Sequence, residues 1–181
     1  DPPAIASPAT ALVPENTMFA MDLNGTDPDG DTLAYSIPYG DDQNRFDLNA
    51  TSGALVFIAP PDFENPTDAG ANNVYELTVT VDDGGLSASQ DLNVTVTDLN
   101  EPPVISQGAS VSVVMDEDGD PLGWPLAWPS EDLNGTDPEG DVITWSLQTA
   151  PVHGTASVSG SGAKPTTFSY SPNADYNGMD S

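Results

Sequence analysis

The sequence predicts an all-β chain of two tandem immunoglobulin-like β-sandwiches, the second of them incomplete. Three observations carry this. Apolar residues alternate with polar ones at period two, the segments between these runs are dense in Gly, Asn, Asp and Pro, and a ten-residue motif occurs twice, DLNGTDPDGD at 22–31 and DLNGTDPEGD at 132–141. Alternation sends successive side chains to opposite faces of a strand, the turn residues supply tight reversals, and the duplication sets the period of the architecture. No stretch shows the sustained i, i+3, i+4 apolar spacing of an amphipathic helix.

In the first copy, short strand candidates lie near 5–12, 18–23 and 45–48, and the runs Leu33–Ile37 and Ala54–Ile58 add two more. The clearest pair follows. Tyr75, Leu77, Val79 and Val81 alternate with Glu76, Thr78 and Thr80, and Leu92, Val94 and Val96 alternate with Asn93, Thr95 and Thr97. About seven short strands in about 98 residues is the size and rhythm of an immunoglobulin-like sandwich.

The repeat extends on both sides of the decapeptide. DPPAI at 1–5 answers EPPVI at 101–105, Glu15 answers Glu117, and PDFENP at 61–66 resembles SPNADYNG at 171–178, setting Asp62 opposite Asp175 and Phe63 opposite Tyr176. The second copy carries an insertion, GDPLGWPLAWPS, before Glu131. Its expected strands are Val111–Met115, Val142–Leu147, Thr155–Val158 and Thr167–Tyr170, with nothing to match 74–81 and 88–97. The expected organisation is therefore a complete sandwich at 1–98, a linker at 99–103, and a second sandwich at 104–181 lacking its last two strands.

Composition narrows the function classes. The chain has 181 residues, 29 Asp and Glu against 2 Lys and Arg, a formal charge of −27, and no cysteine. Without cysteine there is no disulfide and no thiolate metal site. With only Arg45 and Lys164 as cations, nucleic acid is not an expected partner, since phosphates are neutralised by clustered Lys and Arg. No apolar run reaches the ~18 residues of a membrane span, and DPPAIASP lacks the features of a signal peptide. The chain reads as soluble, or as a processed piece of something longer. Its acidic residues sit in short loops rich in Gly, Pro and Asn, and such oxygen-rich loops suit a hard cation.

Five separated elements then resemble one family, the cadherin-like repeats of bacterial surface proteins. Asp98-Leu-Asn100-Glu101-Pro102-Pro103 is similar to the D-x-N-D/E-x linker, Pro14-Glu15-Asn16 to the amino-terminal PEN, and Asp62-Phe-Glu64 to the D-x-E. Asp27-Pro-Asp29 and Asp137-Pro-Glu139 resemble the D-x-D, and Val81-Asp82-Asp83-Gly84 the A-x-D-x-G before the last strand. The resemblance implies Greek-key sandwiches with Ca²⁺ bound between consecutive modules. It implies as junction ligands Glu15, Asp62 and Glu64 from module one, and Asp98, the Asn100 carbonyl and Glu101 from the linker. Asp137 and Glu139 complete the set from module two. Asp27, Asp29 and Asp82 are implied as a partial amino-terminal site.

The chemistry agrees with that reading. Ca²⁺ takes six to eight oxygens in flexible geometry, and neighbouring carboxylates repel one another without a cation. An ordinary acidic turn explains D-P-D-G-D alone, but not its duplicate together with the linker and the D-x-E. The site is no EF-hand: from Asp27 the sixth and twelfth positions are Thr32 and Pro38, and from Asp137 they are Val142 and Gln148.

Catalysis has little to work with. His153 has no second histidine near it, and no nucleophile elbow, phosphate loop or zinc spacing occurs. The expected function is a calcium-stiffened repeat of a secreted or cell-surface bacterial adhesin or stalk, in adhesion or spacing. Its partners are neighbouring repeats, like modules on another chain, or surface polysaccharide. The alternative is a noncatalytic carbohydrate-binding module attached to a polysaccharide-degrading enzyme. It rests on Trp124 and Trp128 of the insertion, with Trp145, Tyr35 and Tyr39 as further rings.

Overall fold

The computed structural model describes residues 1–108 and 133–180. The chain divides into two compact units, Asp1–Leu99 and Asn100–Ser181. The strand expected at Val111–Met115, Glu117, and the insertion with Trp124 and Trp128 lie outside the described residues.

Unit 1 contains β1 (Ala4–Ile5), β2 (Thr10–Pro14), β3 (Phe19–Asp22), β4 (Gly25–Thr26), β5 (Ala34–Tyr39), a 3₁₀ turn (Gln43–Arg45), β6 (Phe46–Leu48), β7 (Ala54–Phe57), β8 (Val74–Asp82) and β9 (Ser87–Thr97). One sheet runs β2-β9-β8-β5 and the other β3-β7-β6, so the chain changes sheets repeatedly, as a Greek-key sandwich does. Within the first sheet β2 lies parallel to β9, and β8 is antiparallel to both β9 and β5.

The period-two readings are realised. Tyr75, Leu77, Val79 and Val81 of β8 and Leu92, Val94 and Val96 of β9 are buried, and Glu76 and Asn93 between them are exposed. All of these buried residues but Val81 share one core with Phe46, Leu55 and Phe57 of the second sheet and with Val13 and Leu23. Phe57 and Tyr75 meet edge to face at 5.1 Å, and Phe46 meets Tyr75 at 5.8 Å and 90°, arrangements favoured by the ring quadrupoles.

Local structure departs from the sequence reading at the amino terminus. The strand expected near 5–12 is two strands, interrupted at Ser7 and Pro8, where proline offers no N–H to a ladder. β1 pairs with β4, a two-residue strand inside the repeated decapeptide that none of the expected strands covers. β7 ends at Phe57, and Ile58 beyond it is exposed.

The β8–β9 hairpin turns through Asp83, whose Oδ1 accepts the N–H groups of Leu86 (2.7 Å) and Gly85 (2.8 Å). Those two donors hold the carboxyl below its ordinary value of 3.8. A depressed carboxyl contributes stability that is present above the unfolded value and lost as pH falls through the folded one. The Gly85 and Leu86 amide resonances should therefore titrate below pH 3.8. A midpoint at or above that value would contradict the arrangement.

Unit 2 contains β10 (Val104–Ile105), β11 (Gly135–Thr136), β12 (Thr144–Ser146), β13 (Gly154–Ser161) and β14 (Thr167–Pro172). The β10–β11 pair repeats β1–β4 residue for residue: Val104 pairs with Thr136 and Ile105 with Gly135, as Ala4 pairs with Thr26 and Ile5 with Gly25. Trp145 stands where Tyr35 stands in unit 1. A Cβ on Gly25 would meet Tyr35 Oη at 3.3 Å, and one on Gly135 would meet the Trp145 ring at 3.2 Å. Trp145 is 8% exposed and its Nε1 donates to the Gly162 carbonyl (2.8 Å), so it is a core residue and not a sugar platform.

β12, β13 and β14 form an antiparallel sheet in that order. Asp180 fastens the sheet's end by accepting the N–H groups of Val152 (2.9 Å) and His153 (2.8 Å) and the Tyr170 hydroxyl (2.9 Å). Burial, together with the Asp180 carboxylate, holds the Tyr170 phenol above its usual pKa. The His153 ring stacks on Tyr176, with centroids 4.1 Å apart.

Candidate metal centre

In unit 1 the end of β2 places Glu15 where its side chain points inward, and the residue is 1% exposed. Its Oε1 accepts the Leu99 N–H and its Oε2 the Phe63 N–H, each at 2.9 Å. One carboxylate thus ties the start of the linker to the loop that carries Asp62 and Glu64. Each bond uses one lone pair, and acceptor capacity remains on both oxygens.

Glu15, Glu64 and Asp98 each bring a carboxylate oxygen within 4.8 Å of the others. Of the predicted Asp62/Glu64 pair, Glu64 joins this group. Asp62 lies outside it and accepts the Asn65 N–H at 3.0 Å, closing an Asx turn. Two like charges 4 Å apart repel by about 1 kcal/mol in water and about 4 kcal/mol at a surface-like dielectric, so three converging carboxylates favour a bound cation. The donors are all oxygen, without histidine or thiolate, which fits Ca²⁺ better than a transition metal.

Three residues that the sequence left without a role hold the loop in place. Asp42, buried, accepts the N–H groups of Ala69 (2.7 Å) and Glu76 (2.9 Å). Asp68, also buried, accepts those of Asn72 and Asn73 at 3.0 Å. Asn73 Nδ2 donates to the Phe63 carbonyl at 2.8 Å, between Asp62 and Glu64. The one available signal was acidity next to Gly and Asn, which does not distinguish a buried carboxylate from a solvated one.

A second group lies in the first decapeptide, where Asp27, Asp29 and Asp31 bring oxygens within 4.8 Å. Asp27 Oδ1 accepts the N–H groups of Asp29 (2.8 Å) and Asp31 (3.1 Å), and its Oδ2 is buried without a hydrogen bond. Asp29 also receives the Asp1 amino group. Asp31 was not anticipated. Asp82, which was, lies outside this group and accepts the Gly84 N–H at 2.8 Å.

Within unit 2, Glu139 Oε1 accepts the Glu101 N–H at 3.1 Å, joining a linker residue to the second decapeptide. Asp137 Oδ1 accepts the Asp141 N–H at 2.9 Å, and Asn100 Nδ2 donates to the Glu101 carbonyl at 3.3 Å.

A family model described as Bacterial Ig domain matches residues 1–95 and again residues 100–181. Cadherin-23 of Mus musculus is 33% identical over 138 residues, which is 70% of this chain and 4% of that protein. Chitinase A of Pseudoalteromonas piscicida is 28% identical over 146 residues, 80% of this chain and 16% of that protein. The chain thus spans a small part of the curated relatives it matches. Among solved structures, human protocadherin-24 EC1-2 superposes with a TM-score of 0.52 at 20% identity, covering 83% of this chain and 67% of that one. Drosophila N-cadherin EC1-4 gives 0.52 at 19% identity, covering 91% and 48%. With its family matches spanning both copies of the repeat and its fold shared with cadherin ectodomains, the chain belongs to the bacterial Ig domain family, as a tandem pair of cadherin-like domains.

Proposed function

We propose that the chain is a calcium-stiffened length of a secreted or cell-surface bacterial adhesin or stalk, serving adhesion or spacing. The observation that carries the reading is Glu15, a buried carboxylate that fixes both the linker at Leu99 and the loop at Phe63 while converging with Glu64 and Asp98. The proposed junction set is Glu15, Asp62, Glu64 and Asp98 from module one, the Asn100 carbonyl and Glu101 from the linker, and Asp137 and Glu139 from module two. Calcium bound there supplies charge neutralisation and a crosslink between linker and loop, which resists bending. The chain's residues do the rest by holding the oxygens in place before the ion arrives. No catalytic role is assigned to either module.

A cation that binds only the native state adds RT ln(1 + [L]/Kd), about 2.7 kcal/mol at a hundredfold excess over Kd. The melting temperature should rise accordingly in calcium and fall in a strong chelator. Asp98→Ala or Asp137→Ala should blunt the response more than Asp41→Ala, an exposed loop change. A melt indifferent to calcium would refute the reading. Asp27, Asp29 and Asp82 are proposed as a weaker amino-terminal site. In calorimetric titration, loss of the tightest site from an Asp27→Ala/Asp29→Ala double variant would reverse that ranking.

The similarity to chitinase A favours one second reading, a noncatalytic carbohydrate-binding module accompanying a polysaccharide-degrading enzyme. Tyr39, 70% exposed, offers it a ring. Specific binding on a glycan array that is lost on substituting Trp124 or Trp128 would favour this reading over the first.

A further inference from the structure

Asn-Gly occurs three times, at Asn24-Gly25, Asn134-Gly135 and Asn177-Gly178. In such a pair the glycine backbone nitrogen can attack the asparagine side-chain carbonyl carbon. The new C–N bond closes a five-membered succinimide, and the side-chain nitrogen leaves as ammonia. Water then opens the ring, at one carbonyl to give aspartate and at the other to give isoaspartate. Glycine permits the approach because it has no Cβ. The reaction needs a glycine nitrogen free of other bonds and a backbone able to turn toward it.

The first two pairs share the sequence Leu-Asn-Gly-Thr, and both are locked in the same manner. The Gly25 N–H donates to Tyr35 Oη at 2.8 Å, and the Asn24 carbonyl accepts the Ala6 N–H at 2.7 Å. The Gly135 N–H donates to the Ala163 carbonyl and the Asn134 carbonyl accepts the Ser106 N–H, each at 2.7 Å. Both glycines begin paired strands, β4 and β11. Asn177 and Gly178 lie exposed in a bend after β14, and neither has a hydrogen bond among the described residues.

We propose that Asn177 is a self-modification site, converted to aspartate and isoaspartate with solvent water as the only co-reactant, while Asn24 and Asn134 are protected by the fold. The product has a structural consequence. It adds a negative charge three residues before Asp180, and isoaspartate also lengthens the backbone by one methylene. That segment is spanned by the bond from Tyr176 Oη to the Met179 carbonyl (2.7 Å) and ends in the carboxylate that holds Val152, His153 and Tyr170. Conversion therefore loosens the fastening of the β12-β13-β14 sheet.

The test is incubation of the full chain at mildly alkaline pH, followed by peptide mapping with mass spectrometry that separates aspartate from isoaspartate. Asn177 should convert at least about tenfold faster than Asn24 or Asn134, because the locked pairs must first open locally. In denaturing urea the three rates should converge to within about twofold, since the protecting bonds are then absent. Native rates that are equal at the three sites, no conversion at Asn177, or the same ranking in urea as in buffer would each overturn the proposal. Asn177→Gln, which disfavours the five-membered ring, should remove the fast phase and leave the folded spectrum unchanged. Persistence of the fast phase in that variant would also overturn it.

Discussion

Replacing Glu15 by Ala is expected to cost unit 1 about 2–6 kcal/mol, because it leaves two N–H groups without their acceptor at about 1–3 kcal/mol each. Those donors belong to Phe63 and Leu99, and the side chain that serves them is 1% exposed, so water is poorly placed to substitute. Against a total stability of about 5–15 kcal/mol for a domain, the loss is large. Two contributions can be separated by denaturant unfolding in chelator and again in excess calcium. The loss in chelator measures the hydrogen bonds alone. The increment gained on adding calcium measures the carboxylate as a ligand, and it should shrink in both Glu15→Ala and Glu15→Gln. The glutamine variant retains one good acceptor and loses the charge, so its chelator stability should fall less than that of alanine. A calcium increment unchanged in both variants would remove Glu15 from the ligand set.

Unit 2 is expected to unfold before unit 1. Among the described residues, the buried apolar side chains are Val13, Leu23, Phe46, Leu55, Phe57, Tyr75, Leu77, Val79, Val81, Leu92, Val94 and Val96 in unit 1, and Trp145 in unit 2. In unit 2, Val142 and Val152 are more than three-quarters exposed, and Phe168, paired with Val158 on β13, is 37% exposed. A buried residue of this kind contributes roughly 1.5–3 kcal/mol, so among the described residues the balance favours unit 1. The sequence supplies a selective reporter, because all three tryptophans, Trp124, Trp128 and Trp145, fall within 100–181. Tryptophan emission should therefore report unit 2 alone, while far-ultraviolet circular dichroism reports both units. The emission midpoint should lie about 10 °C or more below the main dichroism transition, the separation that about 2 kcal/mol produces in a unit of this size. Coincident midpoints would show that unit 2 possesses a core comparable to that of unit 1. That result would contradict a second sandwich lacking its last two strands.

The strands of unit 1 were legible wherever a strand has one wet face and one dry face. Tyr75 to Val81 and Leu92 to Val96 alternate because β8 and β9 each press one face on the core, and a period of two can be read from neighbours in the chain. The repeat was equally legible, and it predicted that 1–5 and 101–105 play like parts, which their pairing with Gly25–Thr26 and Gly135–Thr136 displays. β4 and β11 were not legible. Two residues in a turn-rich motif have no periodicity, and they become strands only because β1 and β10 lie alongside.

The acidic residues divide along the same line. Composition and spacing determined that this chain has carboxylate-rich loops suited to a hard cation, and the resemblance nominated the positions. Which oxygens converge was decided by the tertiary structure: Glu15 meets Glu64 and Asp98, Asp62 is engaged in its own turn, Asp31 joins Asp27 and Asp29, and Asp82 binds its hairpin backbone. Asp42 and Asp68, indistinguishable in sequence from solvated loop residues, are buried acceptors for the backbone of the loop beside the site. The physical reason is range. Burial alternation is a property of adjacent residues on one strand, whereas the bonds from Glu15 reach 48 and 84 positions along the chain, and only the packing of two sheets brings those positions together.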